Sequence, residues 1–222
     1  MHPVASPSVI DLFAGAGGIA EGFRHAGFKS IAATDIDPDA CATFRRNFPD
    51  ALVVHGDLRA PSTKAELLEA GGRADVVVGG PPCQSFSQVR NHTRLIEDPR
   101  NSLYKEFVSI VGRVLPSAFL MENVTGIDQM GFREQIAKDL ELDGEYAVLP
   151  QVIDAADVGV PQTRKRLVFI GVRRSLGVLP PLVRQTGITR AMSLTRSVQR
   201  GLNLFSSVVQ AQSAENVDLA RV

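Results

Sequence analysis

The sequence predicts an α/β fold, a mainly parallel, twisted sheet with helices on both faces. Short apolar runs alternate with stretches at helical spacing from Pro7 to Arg174. Several of those runs, "ADVVV" and "AFLM" among them, are apolar throughout, as strands covered on both faces are. At 222 residues the chain is also long enough to bury one full core without disulfides or metal.

Taken in order, "PSVIDLF" (residues 7–13) is a strand that runs into glycines, and "GIAEGFRHAGF" continues at helical spacing through Ile19 and Phe23. "SIAATDID" (residues 30–37) is the second strand. Asp37 caps the next helix with Pro38 at its first position, and Ala40, Cys41, Phe44 and Phe48 form its inner face. "ALVVHGD" is the third strand; Thr63 and Glu66 then have the spacing of a capping box before "LLEAGG". "ADVVVGG" is the fourth strand. Asp98-Pro99 opens an amphipathic helix through Leu103, Phe107, Ile110, Val111 and Val114, which Pro116 ends. "AFLMENV" is a strand, "FREQIAKDLELDG" a helix, and "YAVLPQVID" and "RLVFIGVRR" are the last two strands. Beyond Val172 the periodicity weakens. The expected organisation is therefore one folded domain over residues 1–175 and a linker with a weakly structured basic tail over 176–222.

Composition excludes several classes. No apolar run approaches the ~20 residues of a membrane span, and "MHPVASPSV" lacks the pattern of a signal peptide. Cys41 and Cys83 are the two cysteines and belong to no C-x-x-C pair, so neither a disulfide framework nor a zinc site is expected. A reducing cytoplasm is the expected compartment. Net charge is zero but segregated: residues 1–160 carry 14 Lys+Arg against 22 Asp+Glu, whereas residues 161–222 carry 10 against 2. A basic C-terminal third suits a polyanionic partner, and equally suits a solvated surface.

Ligands of parallel sheets bind beyond the carboxyl ends of the strands. Phe13–Gly18, Asp35, Asp57, Pro82–Cys83 and Glu122–Val124 all fall at such ends. In "DLFAGAGG", Gly15, Gly17 and Ala20 match G-x-G-x-x-A, and Asp35 follows at the end of the next strand. Glycines allow the backbone to approach a nucleotide and the acid can hold ribose hydroxyls. This pattern serves dinucleotide dehydrogenases and adenosine-bearing methyl donors alike. Asp57 is a weaker case, an adenine contact or a turn cap. In "GGPPCQSFS" two glycines and two prolines frame Cys83 rigidly. A cysteine so held is a candidate nucleophile, and Glu122, at the end of the following strand, is a candidate proton donor or hydrogen-bond partner for a substrate ring. Cys41 reads as part of a buried helix face.

In their order, "DLFAGAGG", "TDID", "GDL", "GGPPCQSFS", "MENV" and "QTRKR" resemble the DNA cytosine-5 methyltransferase family, over about Val9 to Val172. The resemblance implies a Rossmann-like S-adenosylmethionine-dependent methyltransferase fold, S-adenosylmethionine as cofactor, and DNA with a flipped cytosine as partner. It implies that Cys83 adds to carbon 6 of cytosine, that Glu122 holds ring nitrogen 3 and the exocyclic amine, that Arg164 orients the base and that Arg166 supports the site. Phe13, Gly15, Gly17, Asp35, Ile36, Asp57, Pro82 and Leu103 would form the methyl-donor site. Gln84, Ser85, Ser87, Arg90, Arg94, Asn123, Val124 and Gln162 would meet the substrate strand. The family usually has Glu where Asp35 stands and often a larger side chain at Ile36. Family members also carry a target-recognition region and a late Gly-Asn motif after Q-x-R-x-R. Only 50 residues follow Val172 here, and none forms Gly-Asn. The expectation is a truncated enzyme, one chain of a split enzyme whose partner chain supplies target recognition, or a non-catalytic remnant that binds S-adenosylmethionine or DNA. Transfer RNA is an alternative substrate. A nicotinamide-dependent reductase would explain "DLFAGAGG" alone.

Overall fold

The computed structural model describes residues 6–82, 103–129, 131–160 and 162–181. They form a seven-stranded sheet in the order β3-β2-β1-β4-β5-β7-β6. The strands are β1 (Ser8–Leu12), β2 (Lys29–Asp35), β3 (Leu52–His55), β4 (Val76–Gly79), β5 (Ala118–Val124), β6 (Tyr146–Asp154) and β7 (Lys165–Arg173). The helices are α1 (Gly18–His25), α2 (Pro38–Asn47), α3 (Pro61–Gly71), α4 (Leu103–Val114), α5 (Gly126–Gln129) and α6 (Arg133–Leu140). Strands β1 to β5 pair in parallel, while β7 runs antiparallel to both β5 and β6. The mainly parallel α/β sheet expected from the sequence is what forms.

Alternation along each strand divides the core into two layers. Ile10, Leu12, Val77, Phe119, Met121, Leu167 and Phe169 face α3, α4 and α6, where Leu67, Phe107, Ile110 and Leu140 meet them. Val9, Val76, Val78, Ala118, Val168 and Ile170 face the other way, against Phe23 of α1. On that same side Ala33 and Val53 pack on Cys41, Phe44 and Phe48. Cys41 is thus part of a buried helix face.

Local starts and stops follow the expected chemistry in most places. Asp37 Oδ1 accepts from the Asp39 and Ala40 amides at 2.8 and 3.1 Å, with Pro38 opening α2. That cap explains why β2 ends at Asp35 and not at the expected residue 37. Helix α3 departs from expectation. It starts at Pro61 behind Ala60, so Thr63 lies inside the first turn and is buried instead of capping. The proline, already preset for a helix's first position, moves the boundary ahead of the Thr63–Glu66 pair. The expected Asp98-Pro99 helix start lies outside the described residues.

Chain order reverses between β1 and β4: β2 and β3 lie to one side of β1, β4 and β5 to the other. β1 and β4 are therefore the switch point of the sheet, where such folds hold a ligand crevice at the strands' carboxyl ends. Among the described residues no helix is long and apolar enough to cross a membrane.

Candidate active site

The glycine loop sits at that crevice. Phe13 (φ 54°), Gly15 (φ 54°) and Gly17 (φ 98°) all take left-handed backbone conformations. For a phenylalanine this is uncommon and costly, and such strain gathers at functional turns. Three side chains fix the loop. Asp35 Oδ2 accepts from the Gly15 amide at 2.7 Å, Asn47 Nδ2 donates to the Ala16 carbonyl at 3.0 Å, and Asp11 Oδ2 accepts from the Ala20 amide at 3.2 Å. A Cβ on Gly17 would lie 2.5 Å from Phe48 Cε2, so α2 also closes on the loop sterically.

Asp35 spends its other oxygen on the Asp37 amide at 2.9 Å. Each carboxylate oxygen keeps acceptor capacity beyond one hydrogen bond. The next residue, Ile36, holds a large apolar side chain 63% exposed, and the His55 ring contacts its carbonyl at 3.1 Å. An exposed aliphatic side chain beside a carboxylate and a strained glycine turn fits the base and ribose of an adenosine. Asp57, expected at the adenine amine, lies in a fork with Arg59, whose Nη2 is 2.6 Å from Oδ2 and whose Nε is 3.0 Å from Oδ1. The Arg59 hydrogen bonds hold the Asp57 carboxyl below the usual carboxylate range. Leu103 is the first residue of α4 and is half buried.

Glu122 stands on the other side of the crevice. Cross-strand partners Leu12↔Gly79 and Gly79↔Met121 place the residues after them, Phe13, Gly80 and Glu122, side by side along the strand ends. Two strand spacings separate Phe13 from Glu122, about 10 Å. Gly80, at the root of the cysteine loop, leaves only enough room that a Cβ there would come 3.3 Å from Glu122 Oε2. Arg166 reaches Glu122 because β7 runs antiparallel. Glu122 pairs with Val168 and Val124 with Arg166, which puts the acid and the arginine diagonally on one face. Arg166 Nε lies 2.6 Å from Glu122 Oε1.

The β6–β7 connection carries the rest of Q-x-R-x-R. Asp154 Oδ1 accepts from the Ala156 amide at 3.2 Å and the Arg164 amide at 3.0 Å, and the Arg164 carbonyl accepts from Ala155. Arg164 and Gln162 are exposed at this turn, and Val124 is 37% exposed at the end of β5. Asn123, expected to meet the substrate strand, turns inward and is 5% exposed. Its Nδ2 donates to the Pro81 carbonyl at 3.1 Å and its Oδ1 accepts from the Val124 amide at 2.8 Å. It ties the cysteine loop's root to β5. Pro82 is exposed just before the loop. Cys83, Gln84, Ser85, Ser87, Arg90 and Arg94 lie outside the described residues.

Three positioning residues were not singled out from the sequence. Asp154 has a readable signal, since an aspartate opening a turn accepts from amides two residues on. Asp11 is an acid in an apolar strand, a mismatch that points to a special role. Asn47 has no signal, because its partner is 31 residues away. Among the described residues, no group of His, Cys, Asp and Glu side chains could hold a metal ion.

A strained glycine loop, the Asp35 carboxylate and an arginine-held glutamate thus lie at the switch point of an α/β sheet of the Rossmann-like methyltransferase class. The C-5 cytosine-specific DNA methylase family matches residues 8–209, and the chain belongs to that family. It is 45% identical over 171 residues to the type II methyltransferase M1.HphI of Haemophilus parahaemolyticus, covering 75% of this chain and 46% of that protein. It is 40% identical over 179 residues to the type II methyltransferase M.AquIA of Picosynechococcus, covering 74% of this chain and 71% of that one. Among solved structures, an E. coli prophage-encoded protein assigned as a DNA modification methyltransferase superposes with a TM-score of 0.69 at 36% identity, over 83% of this chain and 52% of the other. The S. pombe Dnmt2 methyltransferase shares the fold, with a TM-score of 0.60 at 20% identity over 76% of this chain and 50% of that one. The chain thus spans about half the length of most of these proteins.

Proposed function

We propose that this chain carries the catalytic region of a cytosine-5 methyltransferase acting on DNA. The observation that supports it best is the Glu122–Arg166 pair at 2.6 Å, beside Gly80 at the root of the Cys83 loop and next to the glycine loop. S-adenosylmethionine, when bound, supplies the electrophilic methyl group. Phe13, the 15–17 turn, Asp35 and Ile36 would hold its adenosine, with Asp57, Pro82 and Leu103 at the margin.

The chain's own residues account for activating the base. Carbon 5 of cytosine is a poor nucleophile. Addition of the Cys83 thiolate to carbon 6 breaks the ring's 5,6 double bond and leaves carbon 5 enamine-like. Glu122 would share a proton with ring nitrogen 3 and accept from the exocyclic amine, where charge shifts as the sulfur adds. Arg166 fixes the Glu122 carboxylate in one orientation, and Arg164, on a turn pinned by Asp154, would contact the base. Once carbon 5 has taken the methyl group, a base removes the carbon 5 proton, and that electron pair re-forms the 5,6 double bond as Cys83 leaves as a thiolate. The target must leave the stack to reach this site. Gln84, Ser85, Ser87, Arg90, Arg94, Val124 and Gln162 would meet the substrate strand, largely at its backbone.

The test is trapping on duplex DNA containing 5-fluorocytosine with S-adenosylmethionine, run with the chain alone and with a target-recognition region added. We expect a covalent complex that Cys83→Ser abolishes and Glu122→Gln slows at least 100-fold. No Cys83-dependent complex under either condition would overturn the proposal.

A further inference from the structure

Asp11 is fully buried in the middle of β1, where its cross-strand partners are Ala33 and Val78. Its Oδ2 accepts from the amide of Ala20, the third residue of α1, and its Oδ1 has no hydrogen-bond partner. Helices leave their first amides without intrahelical partners, and a side chain at the N-cap position usually takes one. Here the N-cap is Gly17, which has no side chain to give. Asp11 supplies the cap from the strand beneath. On the other side of the same loop, Asp35 takes the Gly15 amide. The donor loop is therefore clamped between two carboxyl groups, one buried and one partly open to solvent.

The two cannot be equivalent. A buried carboxylate with one hydrogen bond and no counter-ion is far more costly than a neutral acid. Asp35, the charged group that bears on it, adds repulsion. Burial first, and then Asp35, push the Asp11 carboxyl up to about 8, against the lowering effect of the Ala20 amide.

We propose that Asp11 is a positioning residue for the methyl-donor site and works as the neutral acid, capping α1 from within the sheet without placing a second negative charge behind the glycine loop. Asp35 remains the charged partner in front. The proton leaves the positive end of α1 uncompensated from behind, available to the carboxylate of a donor such as S-adenosylmethionine. This rests on the donor site proposed above.

The full chain is titrated calorimetrically with S-adenosylhomocysteine between pH 6 and 9.5, as wild type, Asp11→Asn and Asp11→Ala. Asparagine mimics the protonated acid in shape and charge. We expect the wild type to lose affinity about 10-fold as pH rises past 8, Asp11→Asn to stay within about 2-fold at every pH, and Asp11→Ala to bind at least 10-fold more weakly throughout. A wild-type affinity independent of pH, or an asparagine variant that declines in parallel, would overturn the inference. Amide hydrogen exchange over residues 15–20 provides a readout that needs no ligand. Protection should survive in Asp11→Asn and fall in Asp11→Ala. Equal protection in all three would also overturn it. Absence of S-adenosylhomocysteine binding at any pH, with the exchange pattern intact, would count against the donor site and not against the cap.

Discussion

Glu122 and Arg166 are 44 positions apart in sequence and 2.6 Å apart in space. Both side chains are partly exposed, at 32% and 23%, and a pair so placed adds little stability, on the order of 1 kcal/mol or less. Its consequence is orientation. We expect Arg166→Ala to lower kcat on a cytosine substrate about 100-fold while changing the melting temperature by under 2 °C, checked by methyl transfer kinetics and thermal denaturation. Asp11 makes the opposite kind of contribution. The unfolded chain gives up this proton near 3.8 and the folded chain near 8. Between those values the unfolded state binds fewer protons, so Asp11 lowers stability as pH rises, and the loss is complete above about 8. Asp11→Asn should therefore melt higher than wild type, by a margin that widens from pH 4 to pH 8 and is constant beyond. A margin that shrinks with pH would contradict the neutral-acid reading.

At the scale of elements, the two glycines of the loop differ in what an added side chain would meet. Gly17 combines φ 98° with a neighbour 2.5 Å from any added Cβ, whereas Gly15 has φ 54° and nothing within 4 Å. Gly17→Ala should cost about 3 kcal/mol and lower the melting temperature on the order of 6–12 °C. Gly15→Ala should cost only about 1 kcal/mol, with donor affinity falling more than stability does. The β5–cysteine-loop junction gives a second contrast. Asn123→Ala leaves the Pro81 carbonyl without its partner, a loss of about 1–3 kcal/mol. It should slow Cys83 adduct formation while leaving S-adenosylhomocysteine affinity within 2-fold. Elements whose caps are local were legible from the chain, as α2 shows with Asp37 and Pro38. Helix α3 was misplaced at its start because two local signals competed and the proline's fixed φ outweighed the Thr63–Glu66 spacing.

For the whole molecule, the charge segregation has a measurable consequence. Residues 182–222 carry Arg184, Arg190, Arg196, Arg200 and Arg221 against two acids. If the basic third contacts phosphates, replacing Arg184, Arg190, Arg196 and Arg200 by alanine should reduce the slope of log K against log salt for duplex DNA by up to about 3.6. An unchanged slope would assign the tail to some other surface. The sequence by itself determined the alternation of strands and helices and the turn at Gly15–Gly17, because hydrophobic period, caps and glycine turns act over a few neighbours. Only the tertiary structure decided that β7 runs antiparallel and so delivers Arg166 to Glu122. It likewise decided that Asn123 is buried and donates to the Pro81 carbonyl, and that Asp11 reaches under the glycine loop to cap α1. Each of these depends on strand order and register across the sheet, which bring together groups that no local pattern relates.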